Sequence, residues 1–191
     1  MTAQEYYNQG KEFYADQQFD LAIAKYTEAI SLDPQYAAAY NSRGITHQDN
    51  GSYDLAIADY TKAIDLDPLY VRAYNNRGIS YHYKRQYGLA IENYTEAIRL
   101  DPQYINAYNN RGLSYRANKD YDLAIADYTE AIRLDSQYAT LYNNRGNTYY
   151  AQGKYDLAIA DYDAALRIDP NDRVTKDSRQ AAIDAKATQA P

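Results

Sequence analysis

The recurring features of this chain predict an all-α solenoid of antiparallel helix hairpins, and three observations carry that expectation. Glycine returns every 34 residues, at Gly10, Gly44, Gly78, Gly112 and Gly146. Proline keeps the same interval at Pro34, Pro68, Pro102 and Pro170, with Ser136 in the one gap. Between them, apolar residues recur with helical spacing, as in Leu21, Ala22, Ile23, Tyr26, Ala29 and Ile30. A fixed period of this size belongs to stacked supersecondary units that bury their apolar faces against their neighbours. The prediction is one elongated domain over 1–191, with repeats at about 3–36, 37–70, 71–104, 105–138 and 139–172.

Each element has a local cause. Thr2 opens the first helix, and Glu5 three residues on completes a capping-box pattern. That helix is predicted to about Ala15; Gln17 and Gln18 connect; Phe19 to about Leu32 forms the second. Asp33-Pro34 is read as ending one helix and starting the next. The residue before proline avoids the α region, aspartate is a good N-cap, and proline favours the first helical position. First helices then follow at about 34–49, 68–83, 102–117 and 136–151, and second helices at about 53–66, 87–100, 121–134 and 155–168. Connections of about three residues make each pair an antiparallel hairpin. Gly51 and Gly153 suit a left-handed helix end, and Ser52 and Asp120 stand where they would cap the helix that follows. The glycine column is expected to admit a close helix approach, opposite a small column at Ala22, Ala56, Ala90, Ala124 and Ala158. After Asp169-Pro170 the period stops. Residues 171–187 read as a solvating cap helix, and 188–191 as a frayed tail.

The pattern Tyr74, Gly78, Tyr81, Tyr87, Ala90, Tyr94, Ala97, Pro102 resembles the tetratricopeptide repeat position for position, over roughly residues 3–170. The departure is Arg43, Arg77, Arg111 and Arg145 before the glycine, where the family more often has leucine. The resemblance implies a right-handed superhelix whose first helices line a concave groove. It also implies a scaffold or adaptor that binds peptides, and no enzyme.

Composition narrows the partner. The formal net charge is −6, which disfavours nucleic acid, because phosphate binding needs clustered Lys and Arg. No cysteine is present, so disulfides and thiol chemistry are excluded. No catalytic motif, metal set or cofactor motif is expected: His47 and His82 lie 35 residues apart with no second ligand at metal spacing. Met1 leads directly into polar sequence, from which a cytoplasmic location and no membrane insertion are expected. Tyrosine is unusually abundant, at 25 against two phenylalanines and no tryptophan. Many are expected to be core rings with a wet hydroxyl.

The candidate binding residues come from helical phase. In the third repeat, Tyr74, Gly78 and Tyr81 share one face. Arg72, Asn75, Asn76, Ile79, His82 and Tyr83 cluster roughly 90–160° away. Asparagine recurs there, at Asn41, Asn75, Asn109 and Asn143 in one column and Asn8, Asn76, Asn110 and Asn144 in the next, with Tyr7 and Ser42 as exceptions. An amide offers an acceptor and two donors, which match the C=O and N–H of an extended peptide. The column looks like the asparagine ladder of the tetratricopeptide superhelix of O-GlcNAc transferase. The other reading is that these amides bond to neighbouring repeats. Arg72, His82 and Arg116 would bias the face toward acidic or polar ligands, at micromolar affinity. The family's carboxylate clamp is not expected: Arg72 and Lys11 fit it, but Tyr7, Ser42 and Asn76 stand where other groups are needed. For the arginine column the expected partners are Asp59, Asp127 and Asp161, or the Asp33, Asp67 and Asp101 turns. The remaining acidic residues read as a solvated face. Self-association through the repeat ends is the alternative function.

Overall fold

The computed structural model describes residues 1–189, with side chains through Thr188. The chain is 80% helical, and no strand occurs among the described residues. It divides into two compact units. In Met1–Pro102, α1 (Ala3–Ala15) pairs with α2 (Phe19–Leu32), α3 (Ala37–Asp49) with α4 (Tyr53–Leu66), and α5 (Val71–Tyr83) with α6 (Tyr87–Leu100). Here the first helices α1, α3 and α5 lie side by side. In Gln103–Pro191, α7 (Ile105–Ala117) pairs with α8 (Tyr121–Leu134) and α9 (Ala139–Ala151) with α10 (Tyr155–Ile168). There α11 (Arg173–Gln189) covers α10.

Small residues and buried tyrosines build each hairpin. The column Ala22, Ala56, Ala90, Ala124 and Ala158 is fully buried, and so is each tyrosine four residues on, from Tyr26 to Tyr162. The glycines meet those rings first, and at Gly146 the carbonyl oxygen of the paired Ala158 is close as well, 3.3 Å from where a Cβ would stand. A Cβ on Gly78 would lie 2.6 Å from the Tyr94 ring, and one on Gly10 2.5 Å from Tyr26. Only a missing Cβ lets the ring lie flat under the first helix, where burial of each ring contributes on the order of 2 kcal/mol. Leu21 leaves its predicted stripe and is 48% exposed.

The Asp-Pro junctions stop helices but do not start them. Asp33 is extended (φ −135°), and its carboxylate accepts from the Gln35 N–H at 3.0 Å, an Asx turn. Tyr36 N–H then bonds the Asp33 carbonyl at 3.1 Å, and α3 begins three residues after the proline. The same turn follows Asp67. The carboxylate serves the N–H that an N-cap would serve, but a turn intervenes and the helix itself begins only at Ala37. Ser52 and Asp120 stand at N-cap positions but make no side-chain capping bond. Thr2 and Glu5 do form the reciprocal capping box, at 3.2 and 2.7 Å.

Gly51 and Gly153 take the left-handed conformation, at φ 76° and 73°. Gln17, Arg85 and Lys119 do so as well, at φ 58–66°. The Ser52 N–H reaches the His47 carbonyl, and Gln86 reaches Tyr81 in the same way. This helix-ending bond outweighs the roughly 1–2 kcal/mol that a side chain costs at positive φ. The cap helix α11 continues to Gln189, so Thr188 is helical where fraying was expected; residues 190–191 lie outside the described residues.

Candidate peptide-binding face

Packing α1, α3 and α5 side by side brings their asparagine columns into contact in the first unit. Asn41 and Asn75 are buried, at 5% and 4% exposure. Asn76 donates to Asn41 Oδ1 at 3.3 Å, and Asn75 donates to Asn76 Oδ1 at 3.4 Å. Asn8 is exposed and accepts from Gln4, which in turn accepts from the Tyr36 hydroxyl at 2.8 Å. In the second unit Asn144 donates to Asn109 at 2.9 Å, Asn109 to Asn110 at 3.4 Å, and Asn143 to Thr175 of α11 at 2.6 Å. The amides thus link successive repeats. An amide carries two N–H groups and two lone pairs. Asn76 spends one of each and Asn144 one N–H, and both are half-buried rather than enclosed.

The charged candidates stand on the same first helices, Arg72 one turn before Asn76. Arg72 is exposed at the start of α5. His82 lies near the end of α5 with its ring 5.3 Å from Tyr87 and 6.1 Å from Tyr83. Arg116, at the corresponding place on α7, is half-buried.

The arginine column before the glycine is structural. Arg43 holds Asp59 through Nε (2.9 Å) and Nη2 (2.7 Å), and its Nη1 reaches Thr27 of the preceding hairpin at 2.9 Å. Arg145 repeats this with Asp161 and Thr129, and Arg111 holds Asp127 in the same fork. Arg77 meets Asn93 with a single bond of 2.8 Å and also reaches Thr61. Asp59, Asp127 and Asp161 are each about 6% exposed, so these second-helix carboxylates are not part of a solvated face. The Asp59 bonds hold the Arg43 guanidinium firmly protonated. Burial, opposed by Arg111, pushes the Asp127 carboxyl above the usual range. Burial lowers His47, although Asp59 Oδ2 lies 3.9 Å from its Nε2.

The buried phenols differ in how they are satisfied. Tyr60 donates to Gln48 at 3.3 Å and Tyr162 to Asn147 at 2.8 Å. The Tyr128 hydroxyl is buried with no partner; Arg116 holds the place that Gln48, the acceptor for Tyr60, holds two repeats earlier. Tyr128→Phe is therefore expected to be neutral or to stabilise by up to about 1 kcal/mol, whereas Tyr162→Phe costs about 1 kcal/mol. Urea denaturation of the two variants checks this; a loss at Tyr128 equal to that at Tyr162 contradicts it.

The sequence marks Tyr7 and Ser42 only as breaks in the asparagine columns. In the structure they bond at 3.3 Å beside a cavity between α1 and α3, also lined by Lys11, Tyr14, Tyr26 and Ile45. A broken column was the signal. No cluster of metal-ligating side chains occurs among the described residues, and none of their helices is long and apolar enough to cross a membrane.

Comparison with known proteins agrees on the fold. Family profiles described as tetratricopeptide repeat match residues 71–104, 139–172 and 93–126, and one described as TPR repeat matches 10–51, 48–84 and 112–153. Among solved structures, MamA is 27% identical with a TM-score of 0.78, over 84% of this chain and 94% of MamA. YrrB, described as a TPR protein with an unusual peptide-binding site, is 21% identical with a TM-score of 0.75, over 92% of this chain and 90% of its own. The pilF protein of Pseudomonas aeruginosa is 19% identical with a TM-score of 0.80, over 98% and 91%. At these identities the last two show the fold alone. A search of curated proteins found no match.

Proposed function

The chain belongs to the tetratricopeptide-repeat family, and on that premise we propose that it binds an extended segment of a partner protein along its first-helix faces. Repeats of this family generally serve as protein-interaction scaffolds and not as enzymes. The observation that carries the reading is the state of the amides. Asn76 and Asn144 are held in place by bonds to Asn41 and Asn109, yet each retains hydrogen-bonding capacity and stays half-buried. The two readings of the asparagine columns are therefore compatible. Bonds between repeats fix the amide, which lowers the ordering cost when a peptide backbone docks on it. Main-chain bonding of this kind gives affinity with little sequence preference, and exposed Arg72 adds a bias toward acidic segments.

The test is panning of a random peptide library on the intact chain, followed by affinity measurement on Asn76→Ala/Asn110→Ala/Asn144→Ala. Selected peptides are expected to bind the triple variant at least about tenfold more weakly, at roughly 0.5–1.5 kcal/mol per lost bond. Helical circular dichroism should persist. Undiminished affinity in a folded triple variant overturns the ladder.

A further inference from the structure

The amide ladder is interrupted between α1 and α3, and a cavity opens there. Tyr7, Lys11 and Tyr14 of α1 face Ser42 and Ile45 of α3 across it, with Tyr26 of α2 beneath, and it encloses about 180 Å³. The cause is visible one repeat on. Between α3 and α5, Asn76 reaches Asn41, while Gln48 accepts from Ser80 at 2.9 Å and from Tyr60, so side-chain bonds bridge that seam. In the first seam Ser42 holds the place of Asn76, and Tyr14 that of Gln48. Serine is shorter than asparagine; its hydroxyl lies 3.3 Å from that of Tyr7 and also interacts with the Tyr26 hydroxyl. Tyr14 bridges the far end of the seam, where its hydroxyl donates to Asp49 Oδ2 of α3 at 2.5 Å. What remains is lined by the tilted rings of Tyr7 and Tyr26, 5.7 Å apart, and by the aliphatic wall of Ile45.

The mouth carries one cation. Lys11 Nζ stands 5.9 Å from the centre of the Tyr7 ring, and no carboxylate among the described residues lies within ion-pair distance of it. Lys84 and Lys186, by contrast, are paired with Asp54 and Asp156. An apolar aromatic cavity beside an unpaired ammonium complements one kind of segment. Resting on the peptide-binding reading above, we propose that this cavity is an anchor pocket for an aromatic side chain of the partner, and that Lys11 pairs with an acidic residue next to that side chain. The ring is favoured because tilted aromatic contacts add to area burial. The acidic neighbour is favoured because a rim cation selects charge.

Fluorescence anisotropy of the full chain with labelled Gly/Ser peptides tests this, using peptides with a central Asp-Phe, Asp-Ala or Lys-Phe pair. Asp-Phe is expected to bind about tenfold more tightly than either of the others. Ser42→Phe places a ring of the protein's own in the cavity and should erase the Phe-over-Ala preference. Lys11→Glu should erase the Asp-over-Lys preference and leave the helix content unchanged. Equal binding of Asp-Phe and Asp-Ala, or a preference that survives Ser42→Phe in a folded variant, overturns the pocket. If that equal binding still falls in Asn76→Ala, the pocket fails while the peptide-binding reading stands. Absence of binding by all three peptides also overturns the pocket, and panning then judges the broader reading separately.

Discussion

Titration above pH 10 is expected to unfold this protein in a steep transition, with phenolate absorbance and loss of helical circular dichroism rising together. Burial pushes the Tyr162 phenol up to about 12, and it pushes up Tyr26, Tyr60 and Tyr128 in the same direction. Tyr14 reaches about 12 by burial and by its bond to Asp49. The direction of the effect follows from linkage. A folded-state pKa raised above the unfolded value of about 10 contributes stability that is complete below pH 10 and is lost as pH climbs toward the folded value. For Tyr162, which is 1% exposed, a rise to about 12 corresponds to about 3 kcal/mol. With several such rings in a marginally stable fold, ionisation and unfolding become one event. Tyr128→Phe removes one titrating group that has no partner to lose, so its midpoint should move to higher pH. Gradual ionisation near pH 10 with the helices intact would contradict the prediction.

Arg111→Met is expected to cost about 3 kcal/mol at neutral pH, because it leaves the Asp127 carboxylate buried without its fork of two bonds. The loss should shrink on acidification. Removing Arg111 raises the Asp127 pKa further. The contribution of a carboxyl so raised is present below its unfolded value of about 4 and is lost as pH rises through the folded one. Asp127→Leu added to Arg111→Met should recover much of the stability, since an apolar pair of similar volume leaves no charge to bury. Asp127→Asn should be milder than Arg111→Met, because Asn93 already serves Arg77 in that role. Thermal or urea denaturation at neutral and acidic pH measures all three. A pH-independent loss, or no rescue by the double variant, would falsify the account.

Legibility followed the range of the interactions. Second-helix spans, the capping box of Thr2 and Glu5, and the left-handed Gly51 and Gly153 depend on neighbours in the chain, and they stand where the residues place them. The arginine column was half legible. Its period and charge pointed to Asp59, Asp127 and Asp161, but only packing separates those partners from the Asp33 and Asp67 turns. The start of the first helices was misread because one aspartate side chain has two local uses.

The sequence by itself determined that this is a tandem helix-hairpin repeat, because a 34-residue period of Gly, Ala and Tyr has one way to bury itself against its own copies. Tertiary structure alone decided what the polar columns do. Whether Asn76 meets Asn41 or Ser42 leaves a gap beside Tyr7 depends on side-chain lengths across a seam between residues 35 apart in the chain. Periodicity registers that a residue recurs. The filling of space between two helices depends on volumes and distances that no single repeat contains.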